Sequence, residues 1–579
     1  MGMAGDKFDP LGDAERSLKD MIKWGKLGHK FVQGRRAKRL AAEAEALYGP
    51  EVAEAVENAV RAGKDHERIL RQAERDRQAK AERAELLREP PPLHGSARWA
   101  TEKDLAGLLK GRDAFDAPRS ILLGAWRDPR AGSADGFVHW DGDGHLMTVA
   151  PTRSGKARTT IIPNLLRYRG SAVVLDPKGE LYAATSKWRA ENVGPVYRLA
   201  PFDRGRDPAT ANWPRHRFDP LHDAHEDAEM LALAQLMFPR DPRAPEFFGN
   251  DAVTFMQGLM AFVRERETTP QTRNLATVID TAFWTHRDLN DLARDVLMPS
   301  GITAAADAGK TLFEKDHKGM VNLADSLRTK LRMCWRDSQL TASMQGHDFS
   351  FGDLKDTPAT VYIDIPFEKM ETFAPWLRVV IKSALDGMTI NRKVPDIPVL
   401  FVLDEFLQLE TFPEALRAMR TLAGAGVRLW FFLQDIAGLE KHYPNDWKAF
   451  FTCAVRQYFG TNDPFTAEML SRAIGNETRA HLNVSSGGNM SAQQGSSPWE
   501  GGSSGFSTNT SESVQFTGKP LLSPDEVTAK LANWQGEGWR SSILQIATAG
   551  TRPIEADLVD YSKSPTCMAR IGAYFKQGD

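Results

Sequence analysis

Five short apolar runs punctuate the chain: residues 145–149, 171–175, 359–365, 398–403 and 427–433. Each is bounded by small or polar residues, the pattern of a strand buried on both faces rather than one half-exposed to water. Helical stretches lie between them, and apolar strands alternating with helices imply a mostly parallel sheet covered on both sides. Between about 220 and 345 the alternation stops. Phe255-Met256, Leu259-Met260 and Phe262-Val263 recur there at helical spacing, which predicts an all-α insertion into the α/β domain.

The flanks read differently. Residues 12–88 are rich in Ala, Glu, Arg and Lys and poor in β-branched residues, which predicts helices, broken at Gly49-Pro50 and ended by Pro90-Pro91-Pro92. From Arg16 to Arg39 nine Lys or Arg face one Asp, interleaved with Leu18, Met21, Ile22, Trp24, Leu27 and Phe31. That basic amphipathic helix suits an anionic membrane face or a partner as well as a solvated surface. Residues 484–512 are dominated by Ser and Gly, so a flexible loop is expected there. The resulting division is a helical arm over 1–92, a first part of an α/β domain over 93–219, the all-α insertion over 220–345, and the second part of the α/β domain over 346–579.

A length of 579 residues suits more than one packed unit. The net charge of −2 excludes a general polyanion affinity, so any nucleic-acid contact needs a local patch or a pore made by assembly. Cys334, Cys453 and Cys567 are far apart, forming neither a zinc pair nor a disulfide framework, which points to a reducing cytoplasm. No apolar run reaches the length of about 18 residues that a membrane span needs.

Chemistry concentrates at the strand ends. His145-Leu-Met-Thr-Val149 followed by Ala150-Pro-Thr-Arg-Ser-Gly-Lys156 reads as strand, small-residue turn and helix, the arrangement by which backbone N–H groups and a lysine hold phosphates. Ala150 replaces the usual first glycine. Ala157 stands where a magnesium-binding hydroxyl is usual. Pro398-Val-Leu-Phe-Val-Leu403 then delivers Asp404-Glu405 at a strand tip, where one carboxylate can hold Mg²⁺ and the next can polarise a water. Val427-Arg-Leu-Trp-Phe-Phe-Leu433 ends in Gln434-Asp435, and a glutamine at that place can sense a γ-phosphate or merely cap the next helix.

These segments, with His94-Gly-Ser-Ala-Arg-Trp99, Ile162-Pro-Asn-Leu-Leu166 and Val173-Val-Leu-Asp-Pro-Lys-Gly-Glu180, resemble the TraG-type coupling proteins of type IV secretion in order and spacing over roughly 93–560. The resemblance implies a RecA-like P-loop NTPase related to the FtsK and HerA translocases. It would be an ATP- and Mg²⁺-dependent homo-hexamer that passes a relaxase-bound single DNA strand to the type IV secretion channel. It implies nucleotide contacts from Thr152, Arg153, Ser154, Gly155, Lys156 and Ala157, and Asp404 on the metal. Glu405, Gln434 and Arg420 would be the catalytic set, the arginine supplied by a neighbouring subunit, with Arg417 and Arg428 as the other local candidates. Asp176, Lys178 and Glu180 match a family element, or form a plain loop salt bridge. Relatives usually carry a membrane anchor at the N-terminus, so a cytoplasmic ring held by a membrane partner or by residues 16–39 at the inner membrane is expected. A receptor for protein effectors and a nucleotide-binding adaptor with little hydrolysis are the competing readings.

Overall fold

The computed structural model describes residues 30–111, 115–127, 134–202, 212–238, 246–269, 271–492, 504–532, 541–546 and 552–572. They belong to two compact units, Ala97–Gly475 with Pro520–Asp579, and Met1–Ser96 with Asn476–Lys519.

The larger unit is organised by one twelve-stranded sheet. Its strands are β1 (Leu109–Lys110), β2 (Ile121–Arg127), β3 (Ala134–Trp140), β4 (Leu146–Val149), β5 (Ala172–Asp176), β6 (Val196–Leu199), β7 (Thr360–Asp364), β8 (Val399–Leu403), β9 (Val427–Leu433) and β10 (Val455–Tyr458), while β11 (Asn476–Ala492) and β12 (Ser504–Pro520) belong to the smaller unit, and β13 (Ser541–Ile546) and β14 (Ile554–Asp557) complete the sheet. The order is β1-β3-β2-β14-β13-β10-β4-β9-β8-β5-β7-β6. From β10 to β6 every pairing is parallel, and from β10 to β1 every pairing is antiparallel. The five apolar runs form β4, β5, β7, β8 and β9. The antiparallel wing and β10 add strands beyond those five runs, and what joins them into the one sheet are two long-range pairings, β10 with β4 and β14 with β2.

The central strands are apolar throughout because each face covers a core. In β8, Val399, Phe401 and Leu403 face one core while Leu400 and Val402 face the other; in β5, Val173 and Leu175 oppose Ala172 and Val174 in the same way. The helices Ala374–Ile390 and Pro464–Ile474 cover the first face, and the segments after β4 and β5 cover the second. Among the described residues of 220–343 the elements are helices without a strand, among them Asp227–Met237, Glu246–Arg266, Thr303–Phe313 and His317–Cys334. Their apolar faces share one continuous core with the first face of the sheet.

In the smaller unit, helices run over 30–48, Pro50–Arg61 and His66–Arg88, so the arm breaks twice. Gly49 has φ +91° and Gly63 φ +66°, left-handed geometry that ends a helix and that side chains disfavour. Alanines 37, 41, 44 and 53 pack with Val56 and Val60 between the helices. Of the basic stretch 16–39 only 30–39 is described, as the start of the first helix.

The Ser/Gly-rich segment departs from expectation. Instead of a structureless loop, 484–492 and 504–512 continue β11 and β12, which pair as a ribbon, and 493–503 lie outside the described residues. Ser, Thr and Asn can satisfy an exposed ribbon's backbone and side chains without an apolar face, so low hydrophobicity alone did not exclude strands. The ribbon groups with the arm and not with the sheet, through a bond from the His94 N–H to Thr478 Oγ1 at 3.0 Å and an Arg83–Glu512 ion pair at 2.9 Å.

Helix 246–266 crosses helix 303–313 at Gly258, where a Cβ would lie 2.2 Å from the Ala308 Cβ and 2.7 Å from the Ala304 carbonyl. We expect Gly258→Ala to lower stability in denaturant titration by about 1–3 kcal/mol, overpacking outweighing the roughly 1 kcal/mol of helix propensity gained.

Candidate functional site

The C-terminal ends of β4, β9 and β8 lie side by side, and each supplies one part of a polar cluster. β4 leads into a turn in which Arg153 has φ +62° and Gly155 φ +89°, after which the chain enters a wide π turn over Ala157–Ile161. That turn directly precedes Pro163, which has no N–H for an α-helical ladder. β8 ends in Asp404-Glu405, with Glu405 held at φ +53°. Three non-glycine residues among those described have positive φ, and two of them, Arg153 and Glu405, are here. Backbone strain of this kind concentrates at functional sites.

The side chains converge on Lys156, which is only 7% exposed. Its Nζ donates to Glu405 Oε1 at 2.9 Å and lies 3.9 Å from Asp404 Oδ1. The Gln434 amide, at the tip of β9, donates to Glu405 Oε2 at 2.6 Å. Burial pushes the Asp404 carboxyl up to about 6 although Lys156 pulls it down. Because β9 lies between β4 and β8, the strand bearing Gln434 separates the lysine strand from the carboxylate strand. The site is therefore assembled across three adjacent strand tips. Lys156 is a buried cation between two acids.

The remaining residues divide. Thr152 and Arg153 are exposed, and Ser154 is buried. Ala157 offers no hydroxyl, and the nearby Thr159 hydroxyl donates to the Gly155 carbonyl at 2.9 Å, so it is engaged locally. Asp176 is buried and caps the following helix by accepting from the Tyr182 N–H at 2.8 Å, while Lys178 and Glu180 lie 3.9 Å apart on the surface. Gly95 passes so close to the Asn476 carbonyl that a Cβ would lie 2.2 Å from it, which accounts for the glycine in the His94–Trp99 motif.

The arginines do not join the cluster. Arg420 is exposed at the end of helix Pro413–Thr421, and the neighbouring Met419 carbonyl pairs at 3.1 Å with His145, which precedes β4. Arg420 thus sits by the N-terminal strand ends, opposite Lys156. Arg417 pairs with Glu414 at 3.2 Å. Arg428 is excluded as a free arginine: it is 3% exposed, donates to the Arg119 and Asp141 carbonyls at 2.9 and 2.6 Å, and lies 5.1 Å from the Trp140 ring centroid.

Sequence reasoning passed over a clamp on the lysine turn. Arg158 Nε lies 2.9 Å from both oxygens of Asp560, and its guanidinium donates to Ser562 at 2.6 Å. The partners are some 400 residues apart, and no local motif signals the pairing. Asn164 likewise bonds both the N–H and the carbonyl of Leu122, fastening the segment after the lysine to the antiparallel wing.

This arrangement is a P-loop site on a RecA-like α/β fold. The chain belongs to the family described as Type IV secretory system Conjugative DNA transfer, whose model matches residues 114–577. It is 26% identical over 515 residues to a conjugal transfer protein TraG of Escherichia coli, covering 83% of this chain and 78% of that one. It is 27% identical over 400 residues to protein VirD4 of Agrobacterium fabrum, covering 66% and 57%. Among solved structures, the fold matches the bacterial conjugative coupling protein TrwBdeltaN70 with a TM-score of 0.55 at 15% identity, over 82% of this chain and 96% of that one. TrwB in complex with ADP and Mg²⁺ matches with a TM-score of 0.54 at 15% identity, over 81% and 96%. No helix among the described residues is long and apolar enough to cross a membrane.

Removing Lys156 leaves two buried carboxylates without their cation. Lys156→Ala should lower stability by about 3–5 kcal/mol, the scale for breaking a buried pair. Adding Glu405→Gln should restore part of the loss, since it removes one of the stranded charges. Denaturant titrations of the two single variants and the double variant measure that coupling directly.

Proposed function

We propose that the chain is an ATP-hydrolysing coupling protein that moves DNA, as a relaxase-linked single strand, to a type IV secretion channel. The observation that carries this reading is the Lys156–Glu405–Gln434 cluster, with Asp404 alongside, at adjacent tips of a parallel sheet. Family membership and the conjugal transfer relatives support the DNA cargo.

The residues present fit MgATP. A buried ammonium and two buried carboxylates carry the charges that a polyphosphate and a divalent cation would engage, and the turn that leads into Lys156 has left-handed backbone at Arg153 and Gly155, the kind of turn that can form an anion nest. Mg²⁺, when bound, neutralises charge developing on the phosphates, and Asp404 is the residue to hold it. Lys156 turns from Glu405 to the phosphates. Glu405 is then free to accept a proton from the attacking water, and Gln434, already bonded to Glu405, positions that water and registers the γ-phosphate. Ala157 offers no hydroxyl, so Asp404 is the side chain that would hold Mg²⁺.

The active form is a homo-hexameric ring in which an arginine of one subunit reaches the phosphates of the next. Arg420, exposed and far from its own subunit's Lys156, is the candidate, and Thr152 and Arg153 border the nucleotide from the exposed side of the turn. Anchoring at the inner membrane falls to a membrane partner or to the basic segment 16–39.

Phosphate release tests the reading. Turnover per chain should rise with protein concentration, rise further with single-stranded DNA, and fall with salt. Glu405→Gln should reduce turnover by at least about a hundredfold, the lower scale of general-base loss, while keeping ATP affinity. Arg420→Ala should slow turnover and spare binding. Turnover indifferent to concentration and DNA would favour the adaptor; stimulation by protein cargo alone would favour the effector receptor.

A further inference from the structure

The helical insertion leaves and rejoins the sheet at one narrow place. The Phe218 N–H bonds the Ser343 carbonyl at 3.1 Å, the Asp348 N–H bonds the Arg217 carbonyl at 3.0 Å, and the Arg217 guanidinium pairs with Asp348 at 2.9 Å. Phe218, Phe349 and Phe351 pack around these passages. Here the outgoing passage contributes His222 and Asp223, at the end of a short helix, and the returning passage contributes His347.

We infer that His222, Asp223 and His347 form a binding site for a divalent transition-metal ion, Zn²⁺ by ligand chemistry, that staples the two passages of the helical insertion together. Asp223 Oδ1 lies 3.2 Å from His222 Nδ1 and 3.3 Å from His347 Nε2, and one ligand atom from each residue lies within 4.8 Å of the others. A tetrahedral ion with bonds of about 2.0–2.2 Å needs ligand atoms roughly 3.3–3.6 Å apart, so the contacts of Asp223 hold the three groups near that spacing and the His222 ring adjusts to complete the set. Two imidazoles and one carboxylate are a borderline donor set that suits Zn²⁺, Co²⁺ or Ni²⁺ and not Mg²⁺, which takes oxygen ligands.

The surroundings fit a built site. The Ser350 hydroxyl bridges the two passages at this point, donating to Asp223 Oδ1 at 2.9 Å and lying 2.9 Å from His347 Nε2, and an ion held by those two atoms would take its place between them. Asp223 and Ser350 also line a cleft of about 280 Å³, which gives an ion and a water as fourth ligand a way in. The two rings stack with centroids 3.8 Å apart and 17° between their planes. Bringing both rings onto one ion therefore requires one to turn about χ2, and His222, which is exposed, is the one free to do so.

The nucleotide site plays no part in this inference. The test titrates the full chain, without a histidine tag and in nucleotide-free buffer, with Co²⁺ followed by its visible d–d absorption, and with Zn²⁺ in competition. One equivalent should bind with the bands of a four-coordinate ion, and Zn²⁺ should displace it while excess Mg²⁺ does not. His347→Gln and Asp223→Asn should each weaken binding at least about tenfold, as loss of a ligand must exceed loss of an outer partner. His222→Asn, an exposed change that spares folding, should weaken it as well. Zn²⁺ should slow amide exchange at 216–223 and 345–351 in the unmodified chain only. Absence of saturable binding, or equal affinity in His222→Asn and the unmodified chain, would each overturn the inference.

Discussion

A buried ammonium between two carboxylates holds the centre of this protein in place. Lys156 cannot be kept in a nearly dry environment without Glu405 and Asp404, and those acids cannot be kept there without Lys156. Satisfying all three requires that the turn after β4 and the tip of β8 meet across β9, although Lys156 and Glu405 are 249 residues apart in sequence. The left-handed backbone at Glu405 follows from the same demand, since it turns the carboxylate back toward the lysine and away from the onward chain. The cluster also means that Lys156 and Glu405 occupy each other in this state. In the proposed ATPase, phosphates compete with Glu405 for Lys156, which would couple nucleotide binding to release of that carboxylate.

Around this centre the sheet acts in two ways. Its parallel half sets the strand tips in one row, so that Asp176, Asp364, Asp404 and Gln434 all stand at the same edge. The antiparallel wing steadies the lysine turn from the side, through Asn164 on Leu122 and through Arg167, whose guanidinium donates to the Phe115, Ala117 and Ser120 carbonyls. The late segment at Asp560 adds the clamp on Arg158. A change of nucleotide therefore has rigid neighbours on both flanks of the turn.

The helical insertion shares the apolar core of one sheet face and returns to the sheet beside His347, where the chain passages are tied by hydrogen bonds, an ion pair and stacked rings. Motion of the insertion relative to the strand tips has to work through this neck. A cross-link there, by a metal ion or by the existing hydrogen bonds, limits how far the helices can move while the sheet stays fixed.

The sequence by itself determined the parts whose signal is local. Short apolar runs bounded by turn residues read as doubly buried strands, a small-residue turn before Gly155-Lys156 reads as a strand-to-helix turn, and Asp404-Glu405 after Pro398–Leu403 reads as a pair at a strand tip. Those residues suffice to name the chemistry and the family. Tertiary structure decided what depends on distant partners: that β9 separates β4 from β8, that Lys156 is buried and Arg428 is a structural tie, that Arg420 lies at the opposite edge, that β11 and β12 pair as a ribbon, and that His222 meets His347. The physical reason is that period and propensity act over a few residues, whereas strand order, burial of charge and the meeting of side chains are settled by which surfaces exclude water together once the whole chain has folded.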